Sequence, residues 1–397
     1  MERLLSHIRH YPVIDNHAHN LLLPHESEKK GVISITTEAY GDALHATNTS
    51  LSHLRALTHL RTLYGCGHET DWEGILKIRK QWLQERPDEL VRKCLNGIYA
   101  ILMDDGIGGA KGPQSVHHFS WHDQYTQQPT KRIVRIETLA ETCILDAVKQ
   151  IGHIDAKNVN NEENLHTFWA TFADLFEANV ARAIEDPQVA GFKSVVCYRT
   201  GLDVQLTVTN PSEIPKLEAA ISEILLQALT SSNSDRINGL DVACLKISSK
   251  GLNDWLVCKT LDIISAHSSQ SGQQLKPIQF HTGLGDADID LRTASPAHLK
   301  SIIEAYPAIP IVLLHASYPF TREAGYLAMA YENVYLDIGE VFPQLSHAGQ
   351  VSVFRQSIEL VPYSKILWST DGHDLPETYY LANVQFREVL EKVSFTQ

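Results

Sequence analysis

Short apolar, β-branched runs alternate along the chain with longer stretches in which apolar positions recur every three or four residues. That alternation is the signature of parallel strands joined by helical crossovers. The runs predict strands at Val13 to His17, Ala100 to Asp104, Ile133 to Ile136, Phe192 to Cys197, Pro277 to His281, Ile311 to His315, Val334 to Asp337 and Ile366 to Thr370. Eight strands suit a closed barrel, so the expected fold is an α/β, (β/α)8 TIM-type barrel, read as a single domain over residues 1–397.

The spacing between strands is uneven. Leu51, Leu54, Leu57, Leu60 and Leu63 make an apolar helical stripe with Thr49 and Ser50 as candidate caps, and helical pattern continues from Trp72 to Met103. A helical insertion after the first strand, about residues 45–98, is therefore expected. It would leave from the face of the barrel where active sites are built and could form a lid or substrate wall. A second expansion, from Gly201 to Lys276, carries helical pattern over Ile214 to Leu229 and Asn253 to Ala266, with Ser231-Ser232-Asn233-Ser234-Asp235 as its clearest polar loop.

Composition narrows the picture. With 43% hydrophobic and 20% charged residues the chain can bury a sizeable core, and its net charge of -13 disfavours non-specific attraction to nucleic acid or anionic membrane. Cys66, Cys94, Cys143, Cys197, Cys244 and Cys258 lie far apart with no Cys-x-x-Cys pair, which predicts reduced, mostly buried thiols. The N-terminus lacks the apolar core of a secretory signal and no long apolar span follows. A cytoplasmic protein acting on a small molecule, without nucleic acid or membrane partners, is the expectation.

The candidate chemistry sits at strand ends. His17 and His19 are two apart on a strand, so both imidazoles can face one cation. In a chain with 20 histidines one such pair is weak evidence. Ile278-Gln279-Phe280-His281, Ile311-Val312-Leu313-Leu314-His315 and Ile366-Leu367-Trp368-Ser369-Thr370-Asp371 repeat the arrangement, each an apolar run ending in a ligand-type residue. In a parallel barrel these ends share one mouth. Neutral imidazoles and a carboxylate suit zinc, with manganese or iron as alternatives, and an open position would let water bind and acidify. Asp371 could touch the metal and carry the water's proton to the leaving group, while His315 polarises or protonates the substrate.

Lys193 shares strand parity with Arg199, so it too should point inward. A buried lysine needs either an inner acid such as Asp15 as partner or modification to a carbamate that bridges two metals. Arg199 could clamp a substrate carboxylate or simply pair with Asp104, Asp105 or Glu137; Arg135 carries the same ambiguity. Glu340 and His373 lie just past strand ends and are candidate pocket residues for substrate. Trp121-His122-Asp123 is a polar-aromatic loop and a candidate lid. His53 and His59 belong to a helical pattern, and Gly106 to Gly112 lacks the spacing of a phosphate loop.

His17-x-His19, Lys193, His281, His315 and Asp371 together resemble the amidohydrolase superfamily. Gly191-Phe192-Lys193-Ser194, Gln279-Phe280-His281-Thr282-Gly283, His315-Ala316-Ser317-Tyr318-Pro319 and Asp337-Ile338-Gly339-Glu340 are similar to one branch, the amidohydrolase-like N-terminal domains of FluG-type fungal proteins and plant nodulin/glutamine-synthetase fusions. The resemblance implies a (β/α)8 barrel, a divalent metal and hydrolysis of an amide-type C–N bond, with γ-glutamyl amides suggested by the fusion partner. It further implies His17, His19, His281 and Asp371 as the metal set with His315 as catalytic partner, one metal being preferred. A carbamate on Lys193 would instead give His281 and His315 a second metal. A homodimer is the superfamily expectation. A metal-dependent decarboxylase of a small unsaturated or aromatic acid, or a non-catalytic binding barrel, would use the same frame.

Overall fold

Parallel strands follow one another around a single sheet: β1 (Val13–Ala18), β2 (Ile98–Asp104), β3 (Lys131–Arg135), β4 (Val189–Ser194), β5 (Ile278–Phe280), β6 (Ile311–Leu313), β7 (Val334–Asp337) and β8 (Ile366–Leu367). This computed structural model describes residues 2–107, 115–152, 154–233, 236–271 and 275–394. Most of the glycine-rich run from Gly106 to Gly112, and Ser234-Asp235 of the polar loop, lie outside them. Register is parallel throughout, as in Val13 opposite Ile98 and Ile278 opposite Ile311. The ends of the sheet are drawn together by Asn16 N donating to the Trp368 carbonyl at 3.0 Å, Asp371 N to that of His17 at 3.0 Å, and His19 N to that of Gly372 at 2.7 Å. A nearly closed α/β barrel results, of the kind the strand pattern predicts.

Strand ends differ from the sequence reading, for local reasons. The fourth strand stops at Ser194, and Val196–Arg199 turns into a short helix. Here Glu137 Oε1 accepts from Ser194 Oγ at 2.7 Å and from Val195 N at 3.0 Å, while Ser194 Oγ accepts from Val196 N at 3.1 Å. Side chains take the donors that a ladder would need. Arg199 thus reaches the mouth from a helical turn, so the parity that linked it to Lys193 does not apply. The sixth strand stops before His315 because His315, Ala316 and Ser317 hold φ of 66°, 51° and 48°, a left-handed path no strand can follow.

Between β1 and β2 the chain forms helices Leu51–Tyr64, Trp72–Glu85 and Pro87–Cys94. Ser50 caps the first, its hydroxyl accepting from His53 N at 3.2 Å. The buried face is Ser52, His53, Ala56, His59, Leu60, Leu63 and Tyr64, whereas Leu51 and Leu54 are exposed. A strict three-residue stripe drifts about 60° per step around a 3.6-residue helix, so only its later members reach the core. These helices have their own apolar cluster, including Leu60, Ile75, Trp82 and Leu90, packed with Tyr379 and Leu381 of helix Pro376–Ser394. A buried polar clasp fixes the two together: Arg79 Nε and Tyr64 OH both donate to Glu377 Oε1, at 2.5 and 2.6 Å.

The second expansion carries helices Ile214–Thr230 and Lys250–Ser271. His122 of the candidate lid loop is fully buried, with Nδ1 3.0 Å from the Phe119 carbonyl and Nε2 accepting from Leu21 N at 3.4 Å. It packs the loop down as a neutral, doubly engaged imidazole. All six cysteines are free. Among the described residues no helix is long and apolar enough to cross a membrane.

Candidate metal centre

The C-terminal ends of the strands open on a cavity of about 410 Å³ whose walls include His19, Lys193, Arg199, His281, His315, Glu340, Asp371 and His373. Two neighbouring groups of ligand-type atoms occupy it: His17, His19 and Asp371, and His281, His315 and Glu340, each within 4.8 Å of one another. His17 and His315 rings lie 5.7 Å apart, so the groups share one site.

Hydrogen bonds fix the tautomers of the first group. Gln279 Nε2 donates to the Asn16 carbonyl at 2.8 Å, which turns its Oε1 towards His17 Nδ1 at 2.9 Å. An amide oxygen only accepts, so His17 carries its proton on Nδ1 and turns its Nε2 lone pair into the cavity, where Lys193 Nζ lies 3.0 Å from it. His19 Nδ1 lies 2.8 Å from the Asp104 carbonyl, and the same logic frees its Nε2. Both Nε2 atoms are 3.4 Å from Asp371 Oδ1. Three lone-pair atoms therefore face one point, with partners behind them that orient the rings as metal ligands are oriented.

The second group holds His281, which the sequence reading joined to the first. Its Nε2 donates to the Leu284 carbonyl at 2.6 Å, which leaves Nδ1 as its lone-pair atom, and its ring lies 4.4 Å from that of His315. His315 Nδ1 is 3.1 Å from Glu340 Oε2. Neither ring nitrogen of His315, nor Glu340 Oε2, has a hydrogen-bond partner.

Backbone strain marks the same residues. His315, Glu340 and Asp371 have φ of 66°, 57° and 49°, a conformation that non-glycine residues hold only when their surroundings impose it. Asp337 Oδ2 imposes part of it, accepting from His315 N at 3.3 Å, Gly339 N at 3.0 Å and Ser369 Oγ at 2.9 Å. A side chain at Gly339 would collide with Ser369 Oγ. Asp15 does the same for the last strand, accepting from Thr370 N at 2.9 Å and Thr370 Oγ1 at 2.5 Å. It is thereby engaged elsewhere than with Lys193.

Electrostatics favour a cation. Burial keeps the His17 and His281 imidazoles well below their ordinary pKa and takes His315 down to about 3, so all three are neutral. Glu340 is pushed up by burial and by the charge of Asp371. Lys193 is buried, its Nζ 3.0 Å from His17 Nε2; burial lowers its pKa against the pull of Asp104. The donor set of neutral imidazoles and carboxylates, several atoms of it unpartnered, fits a divalent metal.

Around this centre Asp104 takes Arg135, at 3.0 and 2.6 Å, and Asp105 takes Arg132. Arg199 pairs instead with Glu141, Nη2 at 3.4 Å, leaving its Nε and Nη1 buried without partners beside the cavity. His373 Nδ1 contacts the Asp371 carbonyl at 3.0 Å, and its pKa is raised by Glu38 and Asp371 against burial. Gln279, Asp337 and Glu38 escaped the sequence reading. Gln279 lies two residues before His281 on one strand face, a signal that was available. Glu38 has no strand context and enters from the loop after the 3-10 turn Val32–Thr36, held by Gln344 at 2.8 Å.

Residues 276–392 match the amidohydrolase family model. Over 98% of its length the chain is 45% identical to the protein FluG of Emericella nidulans, and it spans 43% of that relative, less than half. Among solved structures, a candidate metal-dependent hydrolase from Lactobacillus casei is 25% identical with a TM-score of 0.71, covering 98% of this chain and 89% of that one. A uronate isomerase from Bacillus halodurans, 14% identical with a TM-score of 0.57 over 99% and 88% of the two chains, shares the fold.

Proposed function

We propose that this chain, which matches the amidohydrolase family model over residues 276–392 and is 45% identical to FluG over 98% of its length, is a metal-dependent hydrolase cleaving an amide-type C–N bond in a small, carboxylate-bearing substrate. The observation that carries this reading is the convergence of His17 Nε2, His19 Nε2 and Asp371 Oδ1, each nitrogen freed by a hydrogen bond behind it. These three residues would hold the cation, and zinc is favoured by an imidazole-rich set. When bound, such an ion supplies Lewis acidity that lowers the pKa of water and polarises a carbonyl.

The chain's own residues do the rest. Asp371 accepts the proton of the attacking water and returns it to the leaving nitrogen; water oxygen joins the carbonyl carbon as the C–N bond breaks. His315 faces the substrate carbonyl from the next strand. Arg199 lines the cavity and supplies the cation that attracts the substrate carboxylate. Lys193 contributes charge, or a carbamate once modified, and Glu340 and His373 complete the wall. The resemblance to synthetase-fused domains suggests γ-glutamyl amides as the substrate class. We read residues 1–397 as one such domain, its insertion at about 45–98 forming a wall, acting in the cytoplasm as the free cysteines favour.

The test is product analysis on a panel of γ-glutamyl and other acyl amides in ¹⁸O-labelled water. Label in the released carboxylate, lost with Asp371→Asn by about 10²-fold or more in kcat, is expected. Carbon dioxide release without label would replace the hydrolase with a decarboxylase.

A further inference from the structure

We propose that Glu38 and Asp286 select the leaving group, admitting an amine that carries a second, charged ammonium. The preferred substrate is then an amide between a carboxylate-bearing acid and a diamine. The inference rests on the metal-hydrolase reading and deepens it, by naming what lies beyond the scissile nitrogen.

A second cavity, of about 470 Å³, adjoins the one at the strand ends, and Glu38 and Asp286 line both. Its walls come from the chain after β1, through Thr36, Thr47 and Ser50, and from the loops after β5 and β7, through Leu284 and Gln344. The two cavities differ in charge. Arg135, Lys193, Arg199 and Lys246 line the first. Among the described residues no lysine or arginine lines the second, whose charged groups are the two carboxylates alone, set among hydroxyls. An ammonium has three hydrogen bonds to give and accepts none, so carboxylates and hydroxyls suit it. A substrate carboxylate is drawn to one end of the joined space and a cation to the other.

Both acids are held at the boundary. Gln344 Nε2 donates to Glu38 Oε1 at 2.8 Å. The turn bearing Asp286 packs so closely on Tyr198, a wall residue of the first cavity, that a Cβ at Gly285 would lie 2.4 Å from its hydroxyl oxygen. Glu38 also feels its neighbours: burial raises its pKa, His373 pulls it down, and Asp371 and Asp286 push it up again. It therefore stands on the side of Asp371, the group that returns the proton to the leaving nitrogen, and the amine half of the substrate extends past it. An ammonium there offsets the surplus of negative charge.

Calorimetric binding of two hydrolysis-resistant analogues to the full chain tests this. In both, a methylene replaces the amide nitrogen of a γ-glutamyl amide and an alkyl arm of equal length follows; one arm ends in ammonium, the other in methyl. Wild type is expected to bind the ammonium analogue about tenfold or more tighter, the worth of one hydrogen bond to a charged group, and Glu38→Gln to bring that ratio below about threefold. A merely structural role for Glu38 would weaken both analogues alike and leave the ratio as it was. Equal binding in wild type, no binding of either analogue, or a preference that survives in Glu38→Gln overturns the proposal. Should Glu38→Gln fail to fold, Asp286→Asn decides: a ratio lowered about threefold or more supports the site, and an unchanged ratio overturns it. The hydrolase reading fails separately. Selective binding of the ammonium analogue, with no label from ¹⁸O-water in the acid released from either parent amide, leaves the compartment standing and removes the hydrolysis.

Discussion

Single residues set the chemistry here through their neighbours. Gln279 makes no contact with substrate space, yet it decides which nitrogen of His17 is free. Gln279→Leu should keep the fold and lower zinc affinity by about 10–100-fold, read by calorimetry, whereas an inert core residue would leave affinity unchanged. His122 shows the opposite use of an imidazole. Burial lowers its pKa to about 4, so the folded state binds a proton less readily than the unfolded chain. Its contribution to stability is full above pH 6.5 and is lost as pH falls from there towards 4, on the order of 3 kcal/mol. Urea unfolding at pH 7 and pH 5 should show this slope, flattened in His122→Gln; an unchanged slope would refute it. The strand-end histidines were legible in sequence because they close apolar runs, but His122 was not, since nothing local distinguishes a packed loop histidine from an exposed one.

Elements explain where the reading of the chain succeeded and where it slipped. Strand existence followed from β-branched runs, and the missed ends at Ser194 and His315 trace to a side chain seizing a backbone donor and to a left-handed step. The helices between β1 and β2 were legible from periodicity, but their clasp was not: Arg79, Tyr64 and Glu377 come from three separate helices. Arg79→Leu leaves Glu377 buried without its cation and should cost about 3–5 kcal/mol, measured by denaturant titration. Loss under 1 kcal/mol would mean the clasp is dispensable. At the tight turn after β5, Gly283 holds φ of 71° and a Cβ there would meet the Tyr318 carbonyl at 2.3 Å. Gly283→Ala should therefore destabilise the fold and displace His281, lowering both Tm and zinc uptake; unchanged zinc uptake would separate the turn from the site.

For the whole molecule, the site is where the barrel's two ends meet. A ligand that binds only the folded state stabilises it by about 2.7 kcal/mol at a hundredfold excess over Kd. Chelation should accordingly lower Tm by a few degrees, reversibly on adding zinc, and an unmoved Tm would argue against a metal at the centre. The class of fold and the mouth were legible because strand ends in a parallel barrel share one face; the division of the ligand-type residues into two groups depends on ring orientations no spacing encodes. The bonds from Asp15 to Thr370 join residues 355 positions apart, and Tyr379 OH reaches back to the His19 carbonyl. During synthesis, then, His17 and His19 emerge first and wait for nearly the entire chain before Asp371 exists to meet them. A chain cut before its last strand keeps the histidine pair and lacks the carboxylate that faces it.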